Sequence, residues 1–347
     1  MKFPLKPALM VKAAAFGLAL GLSASVTAQT PEEFYSSNDV TFIISSSPGG
    51  GYDTLGRLMA KHLPKHIPGS PDIIVQNMPG AGGIVATTYL YNIADKDGSV
   101  IGGLQNNSPF EALFGNEVDY DALKFNWLGT PSVETGLLLV WHEVDVDNIE
   151  DVQQNKITVA SSGVNSTPSF YTRIINELLD TQIEDIPGYK GQNDSFLAME
   201  RGEVDGYPSV FYGSLMSTRG EWVEQGLVKL LLQYGPQPEP AIPEVPFLAD
   251  LITDEDDLAL LEVAFAPLTL GRPYLMPPGV PADRIAAMRQ AFEDTFVDPE
   301  FLSDAKAIGL STGAPRTGAE INAFMERVFN TSPEIIDRMV RIYDPSK

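Results

Sequence analysis

The sequence predicts an α/β protein organised as two units, and three observations carry that prediction. Two glycine-rich loops near the N-terminus each follow a strand-like run and each open a helix. A second alternation of strands and helices begins after a break near Gly129–Gly136. The chain is also long enough for two cores: of 347 residues, 319 remain once a 28-residue leader is subtracted.

The first loop, Ser45-Ser46-Ser47-Pro48-Gly49-Gly50-Gly51-Tyr52-Asp53, follows the run Thr41–Ile44. The helix after it places Leu55, Leu58, Met59 and Leu63 on one face and ends at Pro64 and Pro68-Gly69. The second loop, Pro79-Gly80-Ala81-Gly82-Gly83, follows Ile73–Val75 and opens a helix near 84–93. Val100–Leu104 completes a βαβαβ unit, which implies a parallel sheet with ligands at the strand C-termini. Gln105-Asn106-Asn107 falls at the third of those termini. Glycine lets backbone approach a ligand closely, and a helix start offers unpaired N–H groups with partial positive charge. Two such loops side by side read as an anion site built largely from backbone. The same glycines also suit tight strand-to-helix turns with no ligand.

Beyond the break, Leu137–Trp141 reads as a buried strand. Ile157–Ala160 leads into the polar loop Ser161-Ser162-Gly163-Val164-Asn165-Ser166-Thr167-Pro168, and Pro168 suits the helix start that follows. Val204-Asp205-Gly206-Tyr207-Pro208-Ser209 reads as another strand-to-helix junction. Val228–Leu232 is the last strand before a proline-rich return, Pro236 to Pro246. The C-terminal third is mostly helical, with Ile285, Met288, Phe292 and Phe296 on one face. Gly309 is a C-cap, Thr317-x-x-Glu320 a capping box, and Ser332-Pro333 starts the last helix.

Lys2, Lys6 and Lys12 precede the uncharged run Ala13 to Leu22, and Val26-Thr27-Ala28 is a small-x-Ala boundary. This pattern predicts a signal peptide cleaved after Ala28 and a periplasmic location. The absence of cysteine excludes a cysteine-linked lipid anchor and leaves stability to packing alone. Loss of the three leader lysines takes the net charge from −23 to −26, so neither nucleic acid nor anionic lipid is an expected partner.

Catalytic and cofactor signatures are missing. Neither glycine loop carries the Walker lysine, and Gly80-Ala81-Gly82 lacks the third glycine of a dinucleotide fingerprint. No Gly-x-Ser-x-Gly elbow is present. His62 and His66 are four apart but separated by Pro64, and read as surface histidines at a helix end rather than zinc ligands. Asp254-Glu255-Asp256-Asp257 reads as a solvated helix start. Asp53 and Arg57, also four apart, either pair beside the anion site or serve separately, with Asp53 as an ordinary first-turn residue. No cofactor and no metal are expected.

Taken in order, Pro48-Gly49-Gly50-Gly51-Tyr52-Asp53, Arg57, Pro79-Gly80-Ala81-Gly82-Gly83, Asp97-Gly98, Tyr120-Asp121, Tyr189-Lys190-Gly191 and Gly202-Glu203-Val204-Asp205 resemble the substrate-binding proteins of tripartite tricarboxylate transporters, the Bug receptors. The resemblance runs from about Val40 to the C-terminus. It implies a type II-like, two-domain periplasmic binding protein that closes over a small carboxylate and delivers it to membrane permease subunits driven by an ion gradient. It further implies a carboxylate held between the glycine loops by backbone groups and ordered waters, with the second domain reading the distal end. The sequence departs from the family pattern at Ser46, where an aromatic residue is usual, at Asn165-Ser166-Thr167-Pro168, and at the polar Gln192-Asn193-Asp194.

The expected organisation is domain 1 over 29–133 and 240–347 and domain 2 over 134–239, with crossings near 130–137 and 234–242, in a monomer. The expected carboxylate site comprises Ser46, Ser47, Gly49, Gly50, Gly51, Gly82 and Gly83. Gln105, Asn106, Ser162, Asn165, Ser166, Thr167, Tyr207 and Ser209 are candidates for the rest of the ligand. A ligand-sensing module would use the same cleft, and a secreted enzyme acting on carboxylates or esters would need a nucleophile and base that no motif supplies.

Overall fold

The computed structural model describes residues 29–49, 51–164, 166–309 and 312–344. The leader over 1–28, Gly50 and Asn165 lie outside the described residues. The first four strands are β1 (Val40–Ile44), β2 (Ile73–Asn77), β3 (Val100–Gly103) and β4 (Asn126–Thr130). They are followed by β5 (Gly136–Trp141), β6 (Ile157–Ser161), β7 (Ile183–Pro187), β8 (Gly206–Phe211) and β9 (Val228–Tyr234), and last by β10 (Tyr274–Met276) and β11 (Arg316–Thr317).

Two sheets result. In the first, β2, β1 and β3 run parallel, β10 lies antiparallel between β3 and β4, and β11 closes the edge on β4. The β-branched and aromatic run of β1 is buried on both faces, as a central parallel strand requires, whereas the edge strand β2 leaves Ile74 exposed. In the second sheet β7, β6 and β8 are parallel, and β5 pairs antiparallel with β8 and β9.

The flanking helices include α1 (Gly51–His62), α2 (Ile84–Asn92), α3 (Thr167–Leu179), α4 (Tyr212–Glu224), α5 (Glu255–Ala264) and α6 (Ala266–Leu270). They continue with α7 (Ala282–Phe296), α8 (Gly318–Phe329) and α9 (Pro333–Tyr343). Helix α1 buries Leu55, Leu58 and Met59 in a cluster with Phe42 and Ile44 of β1. Asp254 caps α5 by accepting the amides of Asp256 and Asp257, and the Thr317–Glu320 capping box opens α8. No described helix is long and apolar enough to cross a membrane.

The chain leaves the first sheet once, over 131–135. After β9 the proline-rich stretch loops back along that strand: Gln233 bridges to Phe247, and its side-chain amide donates to the carbonyls of Ile242 and Val245. The chain rejoins the first sheet only at β10, after α5 and α6. A run of prolines excludes regular strand pairing, but it does not prevent a buried glutamine from holding the loop against the sheet it has just left.

One buried cluster joins the two sheets, running from Phe110 and Trp127 through Phe265 and Phe324 to Leu138 and Leu232. Tyr171, Tyr234 and Phe265 meet at its middle with centroids 4.5 to 5.2 Å apart. The C-terminal helix ties both sides together. Tyr343 stacks on Phe114 at 4.9 Å and meets Phe170 of α3 edge-on at 5.2 Å, while Arg173 donates to the carbonyls of Ile342 and Tyr343.

A very tight backbone contact lies where the two connections pass. Gly271 has φ +56°, and a Cβ there would stand 2.1 Å from the Ser132 carbonyl oxygen. Gly226 has a comparable φ of +66° with nothing within 4 Å. Gly226→Ala should therefore lose only the roughly 1–2 kcal/mol of left-handed strain, and Gly271→Ala clearly more, above about 3 kcal/mol. Urea denaturation of the two variants checks this; equal losses would show that the Ser132 contact is not the constraint.

Candidate functional site

The first glycine loop is held by a polar clip. The Asp53 carboxylate accepts the Gly49 amide at 2.8 Å, Arg57 Nε at 3.0 Å and Asn77 Nδ2 at 2.8 Å. Asn77 also donates to the Ser46 carbonyl and accepts from Arg57. Asp53 and Arg57 therefore do pair. Asn77, at the end of β2, was not among the sequence candidates; its only signal was a polar residue closing a strand just before the second loop. Burial alone would raise the Asp53 pKa, but the hydrogen bonds from Arg57, the Gly49 amide and Asn77 outweigh it and bring the pKa down to about 2.

Gly49 and Gly82 both have positive φ, and no atom lies within 4 Å of where a Cβ would stand, so a ligand can approach their backbone. Gly83 differs: a Cβ there would press on Gln105 and Ser108, which is a packing requirement. Ser46 Oγ is buried without a hydrogen-bond partner among the described residues. Ser47 is exposed.

Gln105 and Asn106 are already engaged. Gln105 donates from its amide N–H to Ser45 Oγ at 2.7 Å and from Nε2 to the Ser45 carbonyl at 3.1 Å. Asn106 Nδ2 donates to the Pro267 carbonyl, and its backbone N–H to the Tyr52 hydroxyl. Both side chains tie the end of β3 to its neighbours. In the second unit, Ser166 stands at the N-cap position of α3 with its hydroxyl directed to Ser169 Oγ at 3.4 Å, and Ser162 is exposed. Thr167 lines a small cavity of about 30 Å³ with Asn107, Glu111 and Tyr343. Tyr207 and Ser209 fall inside β8, which runs to Phe211, so the strand-to-helix junction comes later than the sequence suggested. Tyr207 is buried against Phe196 and has a packing role.

A cavity of about 250 Å³ lies where the two units meet. Gly51 and Thr54 of α1 line one side, and Gly213, Ser214 and Ser217 of α4 the other. Glu134 and Arg272, one from each connection, stand between them. Both helices thus present first-turn amides, which have no intrahelical acceptor, toward one space. Tyr212 anchors α4 by donating its amide to the Thr135 carbonyl. Arg272 Nη1 donates to the Gly51 carbonyl at 3.3 Å, and its guanidinium lies 5.8 Å from the centre of the Tyr52 ring. Its Nε is 3.5 Å from Glu134 Oε1, too long for a good hydrogen bond, so both groups keep unused capacity. Burial pushes the Glu134 pKa up, and Arg272 partly opposes that. Sequence reading missed Glu134, Gly213, Ser214 and Arg272; Arg272 reaches Gly51 across 221 residues of chain, which no local pattern reports.

Of the two histidines read as surface groups, His62 is buried and His66 is half-buried. His62 is buried under the helix Pro299–Ala307, with Nε2 2.9 Å from Asp304, and His66 meets Asp298 at 3.1 Å. His62, Asp298 and Glu300 come within 4.8 Å of one another. Lys65 Nζ already sits 2.5 Å from Asp298 and 2.7 Å from Glu300, an ammonium supplying the charge that a metal would bring.

A cleft between two α/β units, lined by two helix N-termini and a cation, defines a solute-binding receptor for anions. Residues 56–339 match the family described as tripartite tricarboxylate transporter family receptor, and the chain belongs to it. It is 26% identical over 246 residues to the UPF0065 protein in gbd 5'region of Cupriavidus necator, covering 69% of this chain and 71% of that one. The fold is similar to a TctC solute-binding protein from Polaromonas, with a TM-score of 0.70 at 17% identity over 90% of this chain and 99% of that one. It is also similar to MatC from Rhodopseudomonas palustris with bound malate, with a TM-score of 0.58 at 19% identity over 88% and 99% of the two chains.

The clip makes a pH prediction. The folded pKa of Asp53 is depressed, so its contribution is complete above the ordinary value of 3.8 and is lost as pH falls through about 2. Asp53→Asn should cost about 2 kcal/mol at neutral pH and flatten the acid limb of the stability curve. Denaturant titrations across that range check it, and an unchanged acid limb would remove Asp53 from the account.

Proposed function

We propose that this chain is a periplasmic receptor, exported by a signal peptide cleaved after Ala28, that captures a small organic acid and hands it to the permease subunits of its transporter. It acts as a monomer and carries out no chemistry on the ligand. One observation carries the reading: the N-termini of α1 and α4, from opposite sides of the cleft, converge on Arg272 in one cavity. Backbone amides at helix starts and a guanidinium are the groups that recognise a carboxylate. The malate held by the structural relative supports the same ligand class.

The units that close on the ligand are domain 1, over 29–133 and 240–347, and domain 2, over 134–239. Closure follows because the ligand touches both sides and stabilises the state in which both contacts exist. Gly49, Gly51 and Gly82 supply backbone to one carboxylate, with Arg272 beside it. Ser214 and Ser217 face the ligand from α4, and Ser162, Ser166 and Thr167 are reserved for a longer acid.

A thermal-shift and calorimetric screen of succinate, malate and tricarballylate, with EDTA present, should show stabilisation by acids and not by their methyl esters. Arg272→Gln should weaken the best acid by about tenfold to a hundredfold, corresponding to loss of a charge-assisted hydrogen bond of roughly 1.5–3 kcal/mol. Esters that bind as well as acids, or an Arg272→Gln variant with unaltered affinity, would overturn the anion site.

A further inference from the structure

Behind the connections lies a larger cavity, of about 510 Å³, that the carboxylate cleft does not use. That volume is in the range of small-molecule sites, roughly 300–1,000 Å³. Its apolar wall comes from Leu258, Leu261 and Phe265 at one side and Phe324 of α8 at the other. Four charged side chains share the lining: Glu262, Arg316, Glu320 and Arg327.

Three of these four are occupied. Arg327 grips Glu262 Oε1 through Nε at 2.8 Å and Nη2 at 2.7 Å. Glu320 Oε2 accepts both the amide and the hydroxyl of Thr317 at 2.8 Å. The Thr317 bonds lower the Glu320 pKa, and Arg316 lies near enough to help, but its side chain is not fully engaged. Its backbone pairs with Thr130, but its Nε is buried with no hydrogen-bond partner among the described residues. A buried N–H of a cation without an acceptor is costly, and an anion in the cavity would supply the acceptor.

We infer that this cavity is a second ligand site, for an amphipathic organic monoanion. Its carboxylate meets Arg316, and an aromatic or branched aliphatic body lies on Leu261, Phe265 and Phe324. A dicarboxylate suits it poorly, because Glu262 and Glu320 flank the space and a second charge would face them without a free cation.

The test uses the mature full-length chain, with benzoate, phenylacetate and 3-methylbutanoate as probes and benzyl alcohol as the neutral control. Ligand-observed NMR and calorimetry should detect binding of at least one acid and none of the alcohol. Arg316→Gln should weaken that acid about tenfold or more, since a charge-assisted contact is lost. Ala323→Trp, placed at an exposed position on the rim, should block it by filling the mouth. Arg272→Gln should leave it unchanged, which separates this site from the cleft. Retained binding of the cleft acid by the Arg316 and Ala323 variants shows that they are folded. The proposal is overturned if no probe binds up to ~10 mM, an affinity below about 3 kcal/mol. It is equally overturned if the acid survives both the Arg316 and Ala323 changes, or is lost in Arg272→Gln.

Discussion

The arrangement depends on how closely the two connections between the sheets pass each other. The Gly271 backbone lies against the Ser132 carbonyl, where no side chain fits. Around that contact the Arg272 amide donates to Thr130 Oγ1, Thr130 donates to the Ser132 carbonyl, and the Glu134 amide donates to the Leu268 carbonyl. These bonds set the positions of Glu134 and Arg272, the two charged residues that face the cleft. Displacing either connection by a residue would move the cation away from Gly51 and separate it from the amides of α4. The site is built on the connections as much as on the loops that the sequence advertises.

That placement matters because the chain as a whole is strongly acidic, with a formal charge of −23. Carboxylates on the surface are screened over about 8 Å at physiological ionic strength, whereas helix-terminal amides and a guanidinium act in contact. Asp53 would oppose an anion at the first loop, but Arg57 and Asn77 already hold it. The local field near the loop is thereby separated from the net charge of the molecule.

Much of the fold was legible in the sequence, because parallel strands buried on both faces give unbroken apolar runs and capping residues mark helix starts. The strands β1 and β3, the glycine loops, the Thr317 capping box and the break before β5 are of this kind. The hold of the proline-rich stretch on β9 was not legible, because it rests on one buried glutamine, Gln233, whose partners lie nine and twelve residues on. In the site, the loops were legible and their companions were not. Arg272 and Gly213 acquire their roles only when segments far apart in sequence meet, and neither sits in a local pattern. Tyr207 and Ser209 were read at a strand-to-helix junction, whereas they fall inside β8, which runs on to Phe211.

Strand order also fixes when the first sheet can be completed. β4 has β10 on one side and β11 on the other, and β10 in turn is the neighbour of β3. A chain made from its N-terminus has β1 to β4 long before it has Tyr274, and it gains Tyr343, which joins Phe114 to Phe170, only at the end. Until then β3 and β4 have no strand between them, and the shared core lacks Phe265 and Phe324. Contacts of such sequence separation form late. The emerging polypeptide therefore cannot complete its first sheet or its shared core until most of its length has been made.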